Sequence, residues 1–174
     1  MTGGTFHRPR LGAAQLLLAL GAAVALIAGL VSAGGAPAGA VSLPGAVPST
    51  GCGTSTHPAV VEEEHHLDIG GSDRWYLRTV PSGHDGTSPI PVVVDFHGLS
   101  EGARIHTVMS EMSRIAERDG FVVAFPQGRF DPVRWDANPT VDPNEDLTFV
   151  AGILDQIAAD LCVDRSRVYA QGLS

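Results

Sequence analysis

The sequence contains no lysine, and all eleven of its basic residues are arginines. Nineteen acidic residues outweigh them and give a formal net charge of −8 at pH 7. Nucleic acids and anionic lipids are bound by clusters of cations, and no run of basic residues occurs in this chain. The composition therefore argues against a nucleic-acid partner. With 44% hydrophobic residues over 174 positions, the chain is apolar and long enough for one folded domain.

Charge is also absent from residues 11–33, which form an apolar run. Arg8 and Arg10 precede this run, and Ala38-Gly39-Ala40 follows it. A basic start, an apolar centre and small residues before a cleavage point are the three parts of a secretory signal. Residues 1–40 are therefore predicted to be a signal peptide and the protein to be secreted. The run is also long enough to be an uncleaved anchor, and only then is the membrane a partner.

Two further segments follow the predicted leader. Residues 41–56 are rich in Pro, Gly, Ser and Ala and show no periodicity, so they are predicted to be a flexible linker. Residues 57–174 carry the periodic patterns of a folded domain.

The domain alternates apolar strand patterns with amphipathic helix patterns. Strands are predicted at residues 62–69, 74–80, 92–96, 121–125 and 167–170, and helices at residues 102–119 and from 144 onward. The first helix has the apolar stripe Ile105, Val108, Met109, Met112, Ile115 and Ala116, and the second has Leu147, Val150, Ala151, Leu154, Ile157, Ala158 and Leu161. This order predicts an α/β fold with a mostly parallel sheet and flanking helices.

Two short motifs directly follow predicted buried strands. His97-Gly98-Leu99-Ser100 follows the strand at 92–96, and Gly172-Leu173-Ser174 follows the strand at 167–170. The carboxyl ends of parallel strands form the ligand-binding edge of such sheets. The second motif matches the first half of the G-x-S-x-G nucleophile elbow, in which a sharp turn exposes a serine hydroxyl. Each motif taken alone is short enough to be an ordinary turn.

The motifs together resemble the secreted polyhydroxybutyrate depolymerase and feruloyl esterase type of α/β-hydrolase. The matching segments are Gly51-Cys52-Gly53, Trp75-Tyr76-Leu77, residues 92–98 (VVVDFHG), residues 121–128 (FVVAFPQG), Trp135, residues 145–149 (EDLTF), residues 161–164 (LCVD) and residues 167–174 (RVYAQGLS). They extend over residues 51–174. The resemblance implies an incomplete α/β-hydrolase fold whose C-terminal part is missing.

The resemblance also implies the roles of the site residues. Ser174 is the implied nucleophile of an ester hydrolysis through an acyl-enzyme, and Gly98 and Leu99 form the implied oxyanion hole. His97, Gly172 and Leu173 are implied to support these two turns. The acid and the histidine of the family's catalytic triad follow the nucleophile, so the 174-residue chain is expected to be inactive. The alternatives are a non-catalytic exported or membrane-anchored binding domain on the same scaffold and a serine peptidase of the prolyl-oligopeptidase type.

No cofactor or metal is predicted. Asp142, Asn144 and Asp146 match the start of a calcium loop, but Leu147 stands where that loop needs glycine, so a capped helix start is preferred. No upstream histidine is expected to act as the base for Ser174. His106, in particular, is placed on the polar side of the first helix.

The two cysteines, Cys52 and Cys162, are candidates for a disulfide in an exported protein. A bond between them would close a loop of about 110 residues and stabilise the fold by about 4–5 kcal/mol in the chain-entropy model. In the alternative, each cysteine pairs with one outside this sequence. The sequence leaves both pairings open.

Overall fold

The computed structural model describes residues 45–54, 58–137, 140 and 144–174. The predicted leader, residues 1–40, lies outside the described residues. The described elements are β1 (Val60–Ile69), β2 (Ser72–Val80), β3 (Ile90–Phe96), α1 (Ala103–Ser110), α2 (Met112–Asp119), β4 (Val122–Pro126), α3 (Glu145–Asp160) and β5 (Val163–Gly172). All five predicted strands are confirmed. In the part of the chain that is described, no helix has the length and apolarity needed to cross a membrane.

The strands form one mixed sheet in the order β1-β2-β4-β3-β5. β1 and β2 are antiparallel across the turn at Gly70 and Gly71, and β2 is antiparallel to β4. β3 is parallel to both β4 and β5. One apolar cluster packs α3 on one face of the sheet, and a second packs α1 and α2 on the other. The predicted α/β class with flanking helices is therefore confirmed, with parallel pairing confined to the β4-β3-β5 half.

The first predicted helix is divided into α1 and α2. Glu111, between them, has a φ of 52°, in the left-handed region that ends a helix. The predicted stripe is correct for Met112 and Ala116, which are buried, but wrong for α1, where Ile105, Val108 and Met109 are more than half exposed.

The buried face of α1 consists instead of Ala103, His106 and Thr107. The two polar side chains can be buried because each has hydrogen-bond partners inside the domain, among them Asp95 for His106 and Glu62 for Thr107. Hydrophobic periodicity does not detect such a face.

Helix α3 begins with the predicted cap. The Asn144 side chain accepts hydrogen bonds from the N–H groups of Asp146 and Leu147. The predicted stripe is wrong at Leu147, which is 70% exposed, and it omitted the buried Phe149 and Ile153. An ion pair sets this rotation of the helix about its axis, because the Asp146 carboxylate faces inward and lies 2.8 Å from the Arg74 guanidinium. The same guanidinium lies over the Phe149 ring.

The described part of the predicted linker is attached to the domain. Ser49 donates its backbone N–H to the Val163 carbonyl at 2.9 Å and its hydroxyl to the Leu161 carbonyl at 2.6 Å. Cys52 forms a disulfide with Cys162, across a sequence separation of 110 residues. Residues 47–54 therefore belong to the folded domain, because a covalent bond and several hydrogen bonds connect this Pro- and Gly-rich stretch to the start of β5. The disulfide is the first of the two pairings that the sequence left open.

Replacing both Cys52 and Cys162 with serine is expected to lower the free energy of unfolding by about 4–5 kcal/mol, because the unfolded chain regains the entropy of a loop of about 110 residues. Urea unfolding of the oxidised wild type and of the double variant measures the difference. The wild type should also contain no thiol that reacts with a chromogenic disulfide reagent under denaturing conditions. Reactive thiols, or a stability change below about 1 kcal/mol, would contradict this pairing.

Candidate active site

The two motifs meet because their strands are neighbours. In the parallel pairing of β3 with β5, Val94 lies opposite Ala170 and Phe96 opposite Gly172. Leu173 then donates its N–H to the Phe96 carbonyl at 3.1 Å. The His97-Gly98 turn and the Leu173-Ser174 turn therefore lie side by side at the carboxyl edge of the sheet, where open α/β sheets bind ligands.

Gly172 is needed for this close approach. A Cβ at this position would lie 2.7 Å from the Phe96 carbonyl oxygen and 2.9 Å from the Phe96 Cβ, which is closer than real Cβ contacts. Two residues later, Ser174 is exposed and has a φ of 34°. Ser174 follows β5 by two residues and stays the predicted nucleophile.

A surface depression of about 340 Å³ surrounds this turn. Its lining includes Phe96, His97, Trp135 and Ser174. Trp135 packs edge-on against Phe96 at 5.2 Å between ring centroids, lies 4.7 Å from the His97 ring, and donates its indole N–H to the His97 carbonyl at 2.9 Å. The depression thus has an aromatic wall, held in place by the loop that follows β4.

His97 connects the turn after β3 to the loop after β4. Its Nε2 accepts the Gly128 N–H at 2.9 Å, which leaves the ring proton on Nδ1, where it is donated to the Gly98 carbonyl at 2.8 Å. Burial lowers the pKa of His97. The ring is therefore a neutral brace between the turn after β3 and the loop after β4.

His106 is the main correction to the sequence analysis. It is buried, not on the polar side of its helix, and lies between two carboxylates: Nε2 is 2.9 Å from Asp95 Oδ1, and Nδ1 is 3.2 Å from the Glu101 carboxylate. Glu101 in turn accepts the Gly98 N–H at 2.7 Å. The signal that could have revealed this network is Asp95 itself, a charged residue within an otherwise apolar buried strand.

Neither nearby histidine has a free ring nitrogen for the Ser174 proton, since protein groups occupy both nitrogens of His97 and of His106. His65 and His66 lie on β1, at the opposite edge of the sheet from β5. Among the described histidines, none of these four is placed to act as a base at Ser174.

Of the two implied oxyanion-hole residues, Gly98 and Leu99, only Leu99 has its N–H available. The Gly98 N–H is engaged by Glu101, whereas the Leu99 N–H has no acceptor within the described ranges. Burial alone would raise the pKa of Glu101, but the hydrogen bonds from Gly98 and His106 hold it below its ordinary value. The ionised Glu101 carboxylate thus fixes the His97–Gly98 peptide group, which comes directly before the Leu99 N–H.

Metal-binding geometry is not found at this edge. Within the residues described, no group of three or more His, Cys, Asp or Glu side chains is arranged to hold a metal ion. Asn144 and Asp146, from the calcium-like pattern, are engaged in the helix cap and the Arg74 ion pair. Asp142 lies outside the described residues.

Replacing Gly172 with alanine is expected to lower the free energy of unfolding by about 1–3 kcal/mol, because the new methyl group meets backbone that cannot yield. Gly83→Ala is the matched control, since nothing lies within 4 Å of a Cβ there, and its effect should stay within about 0.5 kcal/mol. Urea unfolding measures both variants. Equal effects of the two substitutions would contradict the close approach of β5 to Phe96.

Replacing Glu101 with glutamine should destabilise the fold at pH 7, because His106 and Gly98 lose a charged partner. Because folding lowers the pKa of Glu101, its ionised carboxylate stabilises the fold at pH values above the ordinary pKa of 4.5. This stabilisation is lost as the pH falls through the lower pKa of the folded state. The difference between wild type and variant should therefore be largest near neutral pH and shrink below about pH 4.5. Urea unfolding between pH 7 and pH 3 measures it, with Asp155→Asn on the exposed side of α3 as control. A pH-independent difference would refute this role.

The chain is similar in sequence to known esterases. No protein-family model matches the chain. The sequence is 30% identical over 103 residues to feruloyl esterase B of Piromyces equi, a match that covers 58% of this chain and 19% of that protein. It is 26% identical over 133 residues to a probable feruloyl esterase C of Aspergillus flavus, covering 72% of this chain and 44% of that protein. The chain thus spans less than half the length of these relatives.

A solved structure supports the fold independently. The acetyl xylan esterase of Aspergillus awamori superposes with a TM-score of 0.55 at 18% identity, over 63% of this chain and 42% of that one. The sequence relatives support the feruloyl esterase part of the resemblance, and the polyhydroxybutyrate depolymerase part stays a prediction. The chain has the α/β-hydrolase fold and is similar in sequence to feruloyl esterases.

Proposed function

We propose that this chain is the nucleophile-bearing part of an exported serine esterase. The observation that carries the proposal is the meeting of the Ser174 turn with the His97-Gly98 turn at the carboxyl ends of two neighbouring parallel strands. An exposed serine hydroxyl beside an available backbone N–H is what acyl transfer needs at its centre. Export is supported by the predicted leader and by the Cys52–Cys162 disulfide, because disulfides persist in oxidising compartments.

In the proposed reaction the Ser174 hydroxyl oxygen attacks the ester carbonyl and its proton passes to a histidine outside the described residues. The carbonyl oxygen becomes an oxyanion, which the Leu99 N–H stabilises as one of its donors. One such donor contributes about 10²–10³ in rate. Collapse of this intermediate releases the alcohol, which takes the proton from the histidine, and leaves an acyl group on Ser174. Water, activated by the same histidine, then releases the acid.

The proposed substrates are carboxylic esters of the feruloyl or acetyl kind, as the names of the feruloyl esterase relatives and of a further sequence relative, a bifunctional acetylxylan esterase/xylanase of Neocallimastix patriciarum, suggest. The aromatic wall of Phe96 and Trp135 beside Ser174 supports an acyl group with an aromatic ring, because such rings pack well edge-on or offset against one another. The polyester substrates of the depolymerases remain the alternative.

Hydrolysis of methyl ferulate and p-nitrophenyl acetate tests the proposal. In the complete product of the gene, Ser174→Ala is expected to lower kcat/KM by about a thousandfold or more, because the acyl-enzyme cannot form. The 174-residue chain is expected to show no more turnover than its own Ser174→Ala variant.

Two outcomes would contradict these expectations. Unchanged hydrolysis in the Ser174→Ala variant of the complete gene product would reject Ser174 as the nucleophile and favour a binding domain on the same scaffold. Turnover by the 174-residue chain that depends on Ser174 would show that the base lies within residues 1–174.

A further inference from the structure

Three buried ionisable side chains form a cluster behind the turn that follows β3. Asp95 lies on β3, Glu101 on the turn and His106 on α1, and at most 8% of any of these side chains is exposed. The His106 ring joins the two carboxylates, with Nε2 2.9 Å from Asp95 Oδ1 and Nδ1 3.2 Å from the Glu101 carboxylate. Burying ionisable groups is costly, so their concentration beside the candidate site calls for a functional explanation.

Asp95 is the least satisfied member of this cluster. Its Oδ1 contacts His106, but its Oδ2 is buried without a hydrogen-bond partner among the residues that the structure describes. Within the same residues, no arginine is ion-paired with Asp95 or with Glu101. Buried polar atoms without partners are rare, and strain or polarity of this kind is found where it serves a function. His106 is thus the group that compensates the Asp95 carboxylate.

The two contacts of His106 also fix the position of its ring. Although burial alone would raise the pKa of Glu101, the hydrogen bonds from Gly98 and His106 keep it lowered, so the ionised carboxylate accepts a hydrogen bond from Nδ1–H. The contact between Nε2 and Asp95 Oδ1 needs a second proton, because two lone pairs 2.9 Å apart would repel each other. The ring is therefore held from both sides and connects β3 to Glu101.

Glu101 connects the cluster to the turn. Its carboxylate accepts the Gly98 N–H at 2.7 Å, and its own N–H is donated to the Gly98 carbonyl at 3.3 Å. The Gly98 N–H belongs to the peptide group directly before Leu99, whose N–H is the proposed oxyanion donor. A Cβ on Gly98 would lie 3.3 Å from the carbonyl oxygen of Leu173, the residue before Ser174. The cluster therefore ends on backbone that lies against the segment bearing the proposed nucleophile.

Other contacts hold the same turn without the cluster. Ser100 donates its N–H to the Val133 carbonyl at 2.8 Å, and Trp135 donates its indole N–H to the His97 carbonyl at 2.9 Å. The turn can therefore form even when the cluster is altered. The cluster adds a fixed position for the Gly98 peptide group, which matters because an oxyanion donor acts only at about 2.7–3.1 Å.

We propose that His106 and Asp95 are positioning residues for ester hydrolysis, which hold Glu101 so that the Leu99 N–H points at the developing oxyanion. The proposal rests on the proposed function, because it takes Ser174 as the nucleophile and Leu99 as a donor. An oxyanion develops both when the acyl-enzyme forms and when it is hydrolysed. A misplaced donor therefore slows both steps by a similar factor, which lowers kcat and leaves KM nearly unchanged.

Steady-state hydrolysis of methyl ferulate by the complete product of the gene tests this role. His106→Gln keeps a polar side chain but cannot donate to both carboxylates. It is expected to lower kcat at least about tenfold, with KM within about twofold of the wild type. Asp95→Ala removes the second contact of the ring and should lower kcat in the same way.

Asp95→Asn is the conservative variant. The new amide can donate to Nε2 of His106 while Nδ1–H still reaches Glu101, so both contacts of the ring survive with one proton fewer. Its kcat should stay within about threefold of the wild type. Melting temperatures are measured for every variant, and kcat is compared at a temperature at which all of them are folded.

Thr107→Val is the matched control, because Thr107 follows His106 on α1, is equally buried and is hydrogen-bonded to Glu62 instead of the cluster. Valine keeps the size of the side chain and removes a buried hydrogen bond, so the melting temperature should fall while kcat is unchanged. Three results would each overturn the proposal. They are equal losses of kcat in Thr107→Val and His106→Gln, a loss confined to KM, and a kcat in Asp95→Asn as low as in Asp95→Ala.

Ser174→Ala separates the two proposals. Hydrolysis that requires Ser174 but is unchanged in folded His106→Gln would reject the positioning role and leave the proposed function intact. Hydrolysis that persists in Ser174→Ala would reject the proposed function itself, whatever the variants of the cluster show.

Discussion

The parallel pairing of β3 with β5 is the interaction on which the candidate site depends. Its register places Phe96 opposite Gly172 and so brings together two turns that lie more than seventy positions apart in the chain. The pairing tolerates no side chain at residue 172, because backbone already occupies that space. The disulfide and the Ser49 hydrogen bonds secure the start of β5. Both ends of one strand are thus held by contacts that are distant in sequence.

A buried polar network supports the turn after β3. Asp95, His106 and Glu101 form a chain of contacts that ends on the Gly98 N–H, while His97 connects the same turn to Gly128. Buried charged groups are costly unless they are paired, so these residues are held in one arrangement. Both ring nitrogens of His97 and of His106 take part in these contacts, which hold the turn after β3 in place. This explains why histidines close to Ser174 are not available to it as bases.

Strand and turn patterns were reliable guides because they are local. Apolar runs, alternating patterns and the turn residues between them predicted all five strands, and the capped start of a helix near Asn144 was predicted correctly. The helix faces were less predictable. His106 and Asp146 are buried, while Val108 and Leu147 are exposed. In each case an ion pair or hydrogen bond with a residue of another element sets the rotation of the helix. The periodicity of apolar residues carries no information about such partners.

The sequence by itself determined the class of fold and the two motifs that resemble a hydrolase. Both depend on residues that are adjacent in the chain, namely the apolar patterns of strands and the residue types of turns. Only the tertiary structure decided which groups meet. It placed the end of β5, with Leu173 and Ser174, beside the turn at His97 and Gly98. It also gave both ring nitrogens of His97 and of His106 polar partners within the protein. It also gathered three arginines around Phe130 and Trp75 in a chain without any basic run. Such neighbourhoods arise from the register of nonlocal strands and the rotation of helices, both of which depend on partners far away in the chain.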